Sequence, residues 1–213
     1  MYVIGCAAQA QNGKDTVADR LCEKLNELPD RILWTRASYG DKVKQTYCDA
    51  FGVDRAFVEK WKTIEEAPPG FEMPVRKGLQ FIGDGFRAIR NTIWIDHVFR
   101  DNRPKIISDN RYLNESQRVR DVGGVNILIG RPDKINYDPN LSEAELRPYI
   151  LYCLNNFDPN QKLVNMRPIE FPLEGDLDKM HLFDFFIRND GSLEQLYDLI
   201  DNQLVSHMDY FFF

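Results

Sequence analysis

Short apolar runs alternate along this chain with longer stretches in which apolar residues recur every three or four positions. Residues 2–8 (YVIGCAA) are almost wholly apolar, the pattern of a short buried strand. A glycine-bearing loop follows. Val17, Leu21, Leu25 and Leu28 then mark one face of a helix running from about Lys14 to Leu28 and stopped by Pro29. Residues 31–36 (RILWTR) read as a second strand. A helix over 41–51 ends at Gly52, and a short one covers 54–61. Prolines and a glycine make 65–74 a loop. Val75, Leu79, Ile82, Phe86 and Ile89 are spaced 4, 3, 4 and 3, one apolar face of an amphipathic helix. A further helix covers 92–100. KIIS (105–108) reads as a buried strand ending at Asp109, 114–122 as a helix closed by Gly123-Gly124, and VNILIG (125–130) as the next strand. The polar stretch 132–142 is a loop, and 143–156 is helical in pattern but interrupted by Pro148. Loops and an edge strand are expected over 157–180. HLFDFFIRN (181–189) is a strand, Asn189-Asp190-Gly191 a turn, and Ser192 with Gln195 a capping box for a last helix.

Strands alternating with helices predict an α/β domain around a mostly parallel sheet, here of five strands. Ligands in such sheets bind at the carboxyl ends of the strands. Four polar motifs fall there, at 9–16, 36–42, 109–115 and 189–192. A length of 213 residues suits one domain with helical insertions and suffices to bury a core unaided. With 27 Lys and Arg against 33 Asp and Glu, the formal charge of −6 disfavours a nonspecific nucleic-acid binder. No apolar run is long enough to span a membrane and no secretory signal opens the chain, so a cytoplasmic protein without membrane or nucleic-acid partners is expected. Cys6, Cys22, Cys48 and Cys153 form no CxxC pair and only three histidines accompany them, so reduced thiols are expected rather than a zinc site or disulfides.

The segment Ala8 to Thr16, AQAQNGKDT, follows the first strand and opens the first helix. It approximates the phosphate-loop pattern G-x-x-x-x-G-K-S/T, with Gly13-Lys14 in place. Backbone N–H groups at such a helix start, here from Gln11, Asn12, Gly13, Lys14, Asp15 and Thr16, can cradle phosphate anions, and Lys14 can reach the outer phosphates. Ala8 stands in place of the first glycine. Asp15 replaces the hydroxyl residue that usually meets magnesium, although a carboxylate also suits that hard cation.

With GKDT the opening Met1–Leu21 resembles the deoxynucleoside monophosphate kinases of tailed phages. SYGDKVK (38–44) is similar to that family's F-A-D-x-x-K segment, with Gly40 for its alanine. Arg76, Leu79-Gln80, Gly83, Arg87 and Trp94 resemble its R-x-x-L-Q-x-x-G-x-x-x-R helix and the tryptophan after it. DNRYLNE (109–115) resembles its D-x-R-x-x-N-E element, GGVNILIGRP its next strand, and DFFIRNDGSLEQL the closing strand–turn–helix of related small-molecule kinases. The likeness spans nearly the whole chain except about 133–180. It implies a P-loop kinase fold with acceptor-binding helices over about 41–100; the stretch 133–180, outside the likeness, reads as either a lid or an interface. It also implies ATP and Mg2+, a deoxynucleoside monophosphate acceptor, and the host cytoplasm if the chain is phage-encoded. Dephospho-coenzyme A and phosphomevalonate kinases share the phosphate loop and the NDGSLEEL-like ending, and a non-catalytic nucleotide-binding module is a third alternative.

Joining ATP to a second phosphate requires several arginines on one cleft, because guanidinium meets phosphate with a planar fork. Arg87, Arg111 and Arg131 are the catalytic candidates beside Lys14; Arg76 and Arg90 are weaker ones. Asp41 and Lys42 follow the second strand, where monophosphate kinases hold the acceptor, although Asp41 also suits a helix start. Asp109 is a magnesium candidate with Asp15. Gln80, Asn114 and Glu115 belong to acceptor-like motifs, the last two equally readable as helix caps. Trp94 and Phe86 either stack on a base or fill the core. Asn189, Asp190 and Gly191 lie where related kinases hold adenine. The apolar ending DYFFF docks either on the core or on a second subunit of a homodimer.

Overall fold

The computed structural model describes residues 1–29, 32–171 and 177–212, the side chains of Asp209 and Tyr210 aside. The chain divides into two compact units: Met1–Ala37 with Asn102–Phe213, and Ser38–Asp101.

The first unit is built on a six-stranded sheet in the order β2-β3-β1-β4-β6-β5. Its strands are β1 Val3–Ala7, β2 Thr35–Ala37, β3 Lys105–Asn110, β4 Val125–Gly130, β5 Leu163–Asn165 and β6 Phe185–Arg188. Five run parallel, as expected. The expected edge strand is β5, which pairs antiparallel with β6 and makes the sheet six-stranded rather than five-stranded. Alternation along each strand separates two cores. Ile4, Cys6, Ile127, Ile129, Phe185 and Ile187 face α1 (Lys14–Glu27) and α9 (Leu193–Leu199). Ala7, Leu128 and Phe186 face α8 (Arg147–Asn156). Burial on both faces explains why these strands read as continuous apolar runs.

Differences from the sequence expectation have local causes. The second strand is short because only Thr35–Ala37 pair with β3, at Lys105–Ile107; the start of the expected strand, at residue 31, lies outside the described residues. Pro148 does not interrupt a helix but begins one. α7 (Leu141–Ala144) ends before it, and α8 carries the proline in its first turn, where its missing N–H leaves no bond unmade. After α9 a π-helical turn, Ile200–Leu204, leads into α10 (Val205–Phe212). α10 docks on the unit's own core: Phe212 lies 5.2 Å from the Trp34 ring and 5.4 Å from Tyr2, and Phe211 5.7 Å from Phe185.

The second unit is helical: α2 Tyr39–Phe51, α3 Arg55–Trp61, α4 Val75–Ile89 and α5 Ile93–Val98. Tyr47, Cys48, Val58 and Val75 form its core, with Phe57, Phe71, Leu79 and Ile82 packed around them. Gly78 lets α4 approach closely, since a Cβ there would sit 2.8 Å from the Tyr47 ring. The predicted stripe of α4 is only partly interior: Val75 is buried, whereas Ile89 is 82% exposed. α6 (Leu113–Asp121) belongs to the first unit and follows β3.

Candidate functional site: a glycine-lysine loop at the switch point of the sheet

β1 and β3 lie side by side, and the chain leaves β1 toward β2 on one side and β3 toward β4 on the other. The crevice that such a reversal opens is where α/β sheets bind ligands. The predicted phosphate loop occupies it. Ala8 N–H donates to the Asn110 carbonyl at 3.3 Å, which seats the loop beside the end of β3 and its Asp109. The backbone turns through Gln11 (φ 63°) and Gly13 (φ 92°), the latter capping α1 in the left-handed region. Alternating handedness of this kind turns successive N–H groups toward one side, an anion-binding concavity. A Cβ on Gly13 would fall on the Asn189 amide.

Side chains inside the loop serve two purposes. Asn12 is fully buried and acts as a bolt. Its Nδ2 donates to Ala10 O at 3.0 Å and Lys134 O at 3.1 Å, while its Oδ1 accepts the Arg131 backbone N–H at 2.8 Å. Gln9, also fully buried, donates to the carbonyls of Asn136 (2.7 Å) and Glu143 (2.6 Å) and accepts the Asn136 N–H at 3.1 Å. The polar stretch after β4 is therefore docked on the loop. Lys14 is 8% exposed, with its Nζ donating to Asp15 at 2.6 Å. Arg36, the central residue of β2, pairs with Asp15 and Asp19. Burial raises the Asp15 pKa, but Lys14 and Arg36 outweigh it and hold the carboxyl below its usual range.

The structure brings several predicted residues to this loop. Asn189, 7% exposed, donates from Nδ2 to Asn12 O at 3.0 Å, joining the predicted adenine turn to the phosphate loop. Gly191 lines a cavity of about 440 Å³ with Asn189, Lys162, Arg188, Ser192 and Gln195, and Asp190 pairs with Lys162 at 2.9 Å. Arg111 reaches the loop through Glu143, whose carboxylate it shares with the Ala10 N–H. Arg131 is fixed by its backbone to Asn12, and its Nε donates to Asp133 at 2.9 Å.

Glu115 and Trp94 are placed structurally. Glu115 is 2% exposed and accepts the backbone N–H groups of Arg111 (2.7 Å) and Tyr112 (3.1 Å), which caps α6. Trp94 is 3% exposed, its indole N–H bonded to Gly83 O at 3.0 Å and its ring 5.5 Å from Phe86. The ring thus packs within its own unit. Asn114 is exposed at the start of α6.

The remaining acceptor candidates lie in the second unit. Asp41, Lys42, Gln45, Arg55 and His97 line a hollow of about 400 Å³. Burial, with Lys42 and Arg100 nearby, pushes the His97 imidazolium pKa down. Arg76 is exposed and Gln80 half-buried on α4, where Arg87 pairs with Asp84 at 3.5 Å; Arg90 pairs with Asp96 at 2.6 Å.

Sequence reading missed Glu143, Gln9, Arg36 and His97. Gln9 sits inside the loop pattern and Arg36 closes the strand expected over 31–36, which are usable signals. Nothing local marks Glu143.

Among the described residues no three or more His, Cys, Asp and Glu gather in a metal cage. Magnesium needs none: it keeps waters and takes one or two carboxylates beside phosphate oxygens. Asp15, whose side chain is 58% exposed, and half-buried Asp109 fit that demand for an ion carried by a nucleotide. No helix of the described residues is long and apolar enough to cross a membrane.

No family model matches the chain. It is similar to a protein of Acanthamoeba polyphaga mimivirus provisionally named a deoxynucleotide monophosphate kinase, with 28% identity over 179 residues. The match covers 73% of this chain and 89% of the viral protein.

Proposed function

We propose that this chain is a nucleotide kinase that transfers the γ-phosphoryl group of ATP to a deoxynucleoside monophosphate. The single observation that carries this reading is the convergence on one phosphate loop, inside the first unit, of Lys14, Arg111, Arg131 and the Asn189 turn through direct bonds or one shared side chain. The mimivirus relative supports the same class of reaction.

In this reading the N–H groups from Gln11 to Thr16 hold the β- and γ-phosphates, and Lys14 leaves Asp15 to neutralise the transferring group. Adenine occupies the cavity beside Asn189, Asp190 and Gly191. Asp41, Lys42, Arg76, Gln80 and Arg87, all in the second unit, bind the acceptor. An oxygen of its phosphate attacks the γ-phosphorus as the bond to the ADP oxygen breaks, and ADP leaves. Arg111 and Arg131 balance charge over the transferring group, a task of positioning and electrostatics. Bound magnesium would add charge neutralisation on the phosphates, and Asp15 and Asp109 are the residues that would hold it.

The test is ADP release from ATP and magnesium with each common deoxynucleoside and ribonucleoside monophosphate in turn. Turnover with deoxynucleotides is expected. Lys14→Ala is expected to cut it by about a thousandfold with an unchanged circular-dichroism spectrum. ATP binding without turnover on any nucleotide would move the acceptor to another phosphorylated small molecule.

A further inference from the structure

We infer that Glu143 is a positioning residue that sets the phosphate loop and Arg111 against one another. The catalytic part of this inference rests on the kinase reading; the geometric part does not.

Glu143 is 2% exposed, yet both carboxylate oxygens are occupied. One accepts the backbone N–H of Ala10, inside the phosphate loop, at 2.8 Å. The other accepts from the Arg111 guanidinium. The main-chain carbonyl of the same residue accepts Gln9 Nε2 at 2.6 Å. Residue 143 thus grips two consecutive loop residues and one arginine from the end of β3. Arg111 is held at both ends, since its backbone N–H goes to Glu115 at 2.7 Å.

A buried carboxylate at an anion-binding loop is costly by itself, because it loses hydration and repels phosphate. Pairing with Arg111 cancels the charge, and the bond to Ala10 fixes where the pair stands. What Glu143 supplies is therefore geometry. Phosphoryl transfer is sensitive to that, since a displacement of about 1 Å can cost about a hundredfold in rate.

The experiment compares Glu143→Gln, Arg111→Ala and the double variant by single-turnover phosphoryl transfer, with backbone amide exchange at Ala10 measured in Glu143→Gln and Glu143→Ala. Glu143→Gln keeps an acceptor for Ala10 but removes the charge that holds Arg111. We expect its transfer rate to fall about ten- to a hundredfold, with the ATP KM changed far less. The double variant should be no slower than Arg111→Ala alone, because both changes undo one arrangement. Glu143→Ala should speed exchange at Ala10 by about tenfold or more, while Glu143→Gln moves it less. Rate losses that multiply in the double variant would overturn the inference, as would a wild-type rate in Glu143→Gln or unchanged exchange at Ala10 in Glu143→Ala. A wild-type protein without turnover would sink the kinase reading, and the exchange measurement would still decide whether Glu143 holds the loop. If Glu143→Ala fails to fold, the Glu143→Gln rates and exchange carry the decision.

Discussion

Single residues at the loop carry demands that their neighbours in sequence do not reveal. Gly13 is needed twice over: its φ of 92° is strained for any side chain, at about 1–2 kcal/mol, and a Cβ would displace the Asn189 amide from Asn12 O. Gly13→Ala should therefore lower the melting temperature and weaken ATP binding at least about tenfold by calorimetry; wild-type affinity would show that the loop holds no phosphate. Lys14 and Gly13 were legible from the pattern alone, because a phosphate loop is a local device. Asn12 was legible only as a loop member. Its role as a bolt depends on Lys134 and Arg131, more than a hundred positions away. Trp94 illustrates the converse: an aromatic in a nucleotide-kinase-like motif turns out to bind a carbonyl of its own unit.

Elements are held in place by buried polar groups as much as by apolar faces. Asp184, just before β6, is fully buried and accepts from the Asn126 N–H of β4 at 2.7 Å, from Arg167 Nε at 2.6 Å and from Arg120 of α6. A strand, a helix and the turn after β5 meet on one carboxylate. Asp184→Asn should cost about 2–3 kcal/mol in denaturant unfolding, discounted because both arginines are partly exposed. A change within error would mean that the network contributes nothing.

In the helical unit Glu59 ties α3 to α2 and to its own end. It accepts from Lys44 at 2.8 Å, from Arg55 at 3.0 Å and from Lys62. Burial pushes its pKa up, but these three cations outweigh that and hold it at about 2, below its ordinary 4.5. A depressed carboxyl pKa stabilises the fold above the unfolded value and loses that contribution as pH falls through the folded one. Glu59→Gln should thus flatten the dependence of stability on pH between about 4.5 and about 2 and leave it unchanged above that window. An identical acid limb in the variant would show that the ion pairs are fully screened.

At the scale of the whole molecule, the proposed reaction has two substrates, and variants at the loop and on α4 should separate kinetically. Arg87→Ala, on α4, should raise the KM for the acceptor about tenfold or more and leave the ATP KM near wild type. Arg111→Ala, at the loop, should lower kcat instead. Equal effects on both substrates from Arg87→Ala would place that arginine outside the acceptor site.

The sequence by itself determined the alternation of strands and helices, the place of the Gly13-Lys14 loop after the first strand, the capped last helix and the arginines near strand and helix ends. These depend on periodicity and on residues close in the chain, which pattern can register. Tertiary structure decided the rest. The sixth strand exists because three residues found an open edge of β6. Pro148 starts a helix because the chain turns just before it. Ala10 and Glu143 stand 133 positions apart, and Asn12 and Asn189 stand 177 apart. Such pairs leave no trace in local pattern, since their geometry appears only once the sheet has brought distant segments together, and the inferred positioning of Arg111 rests on one of them.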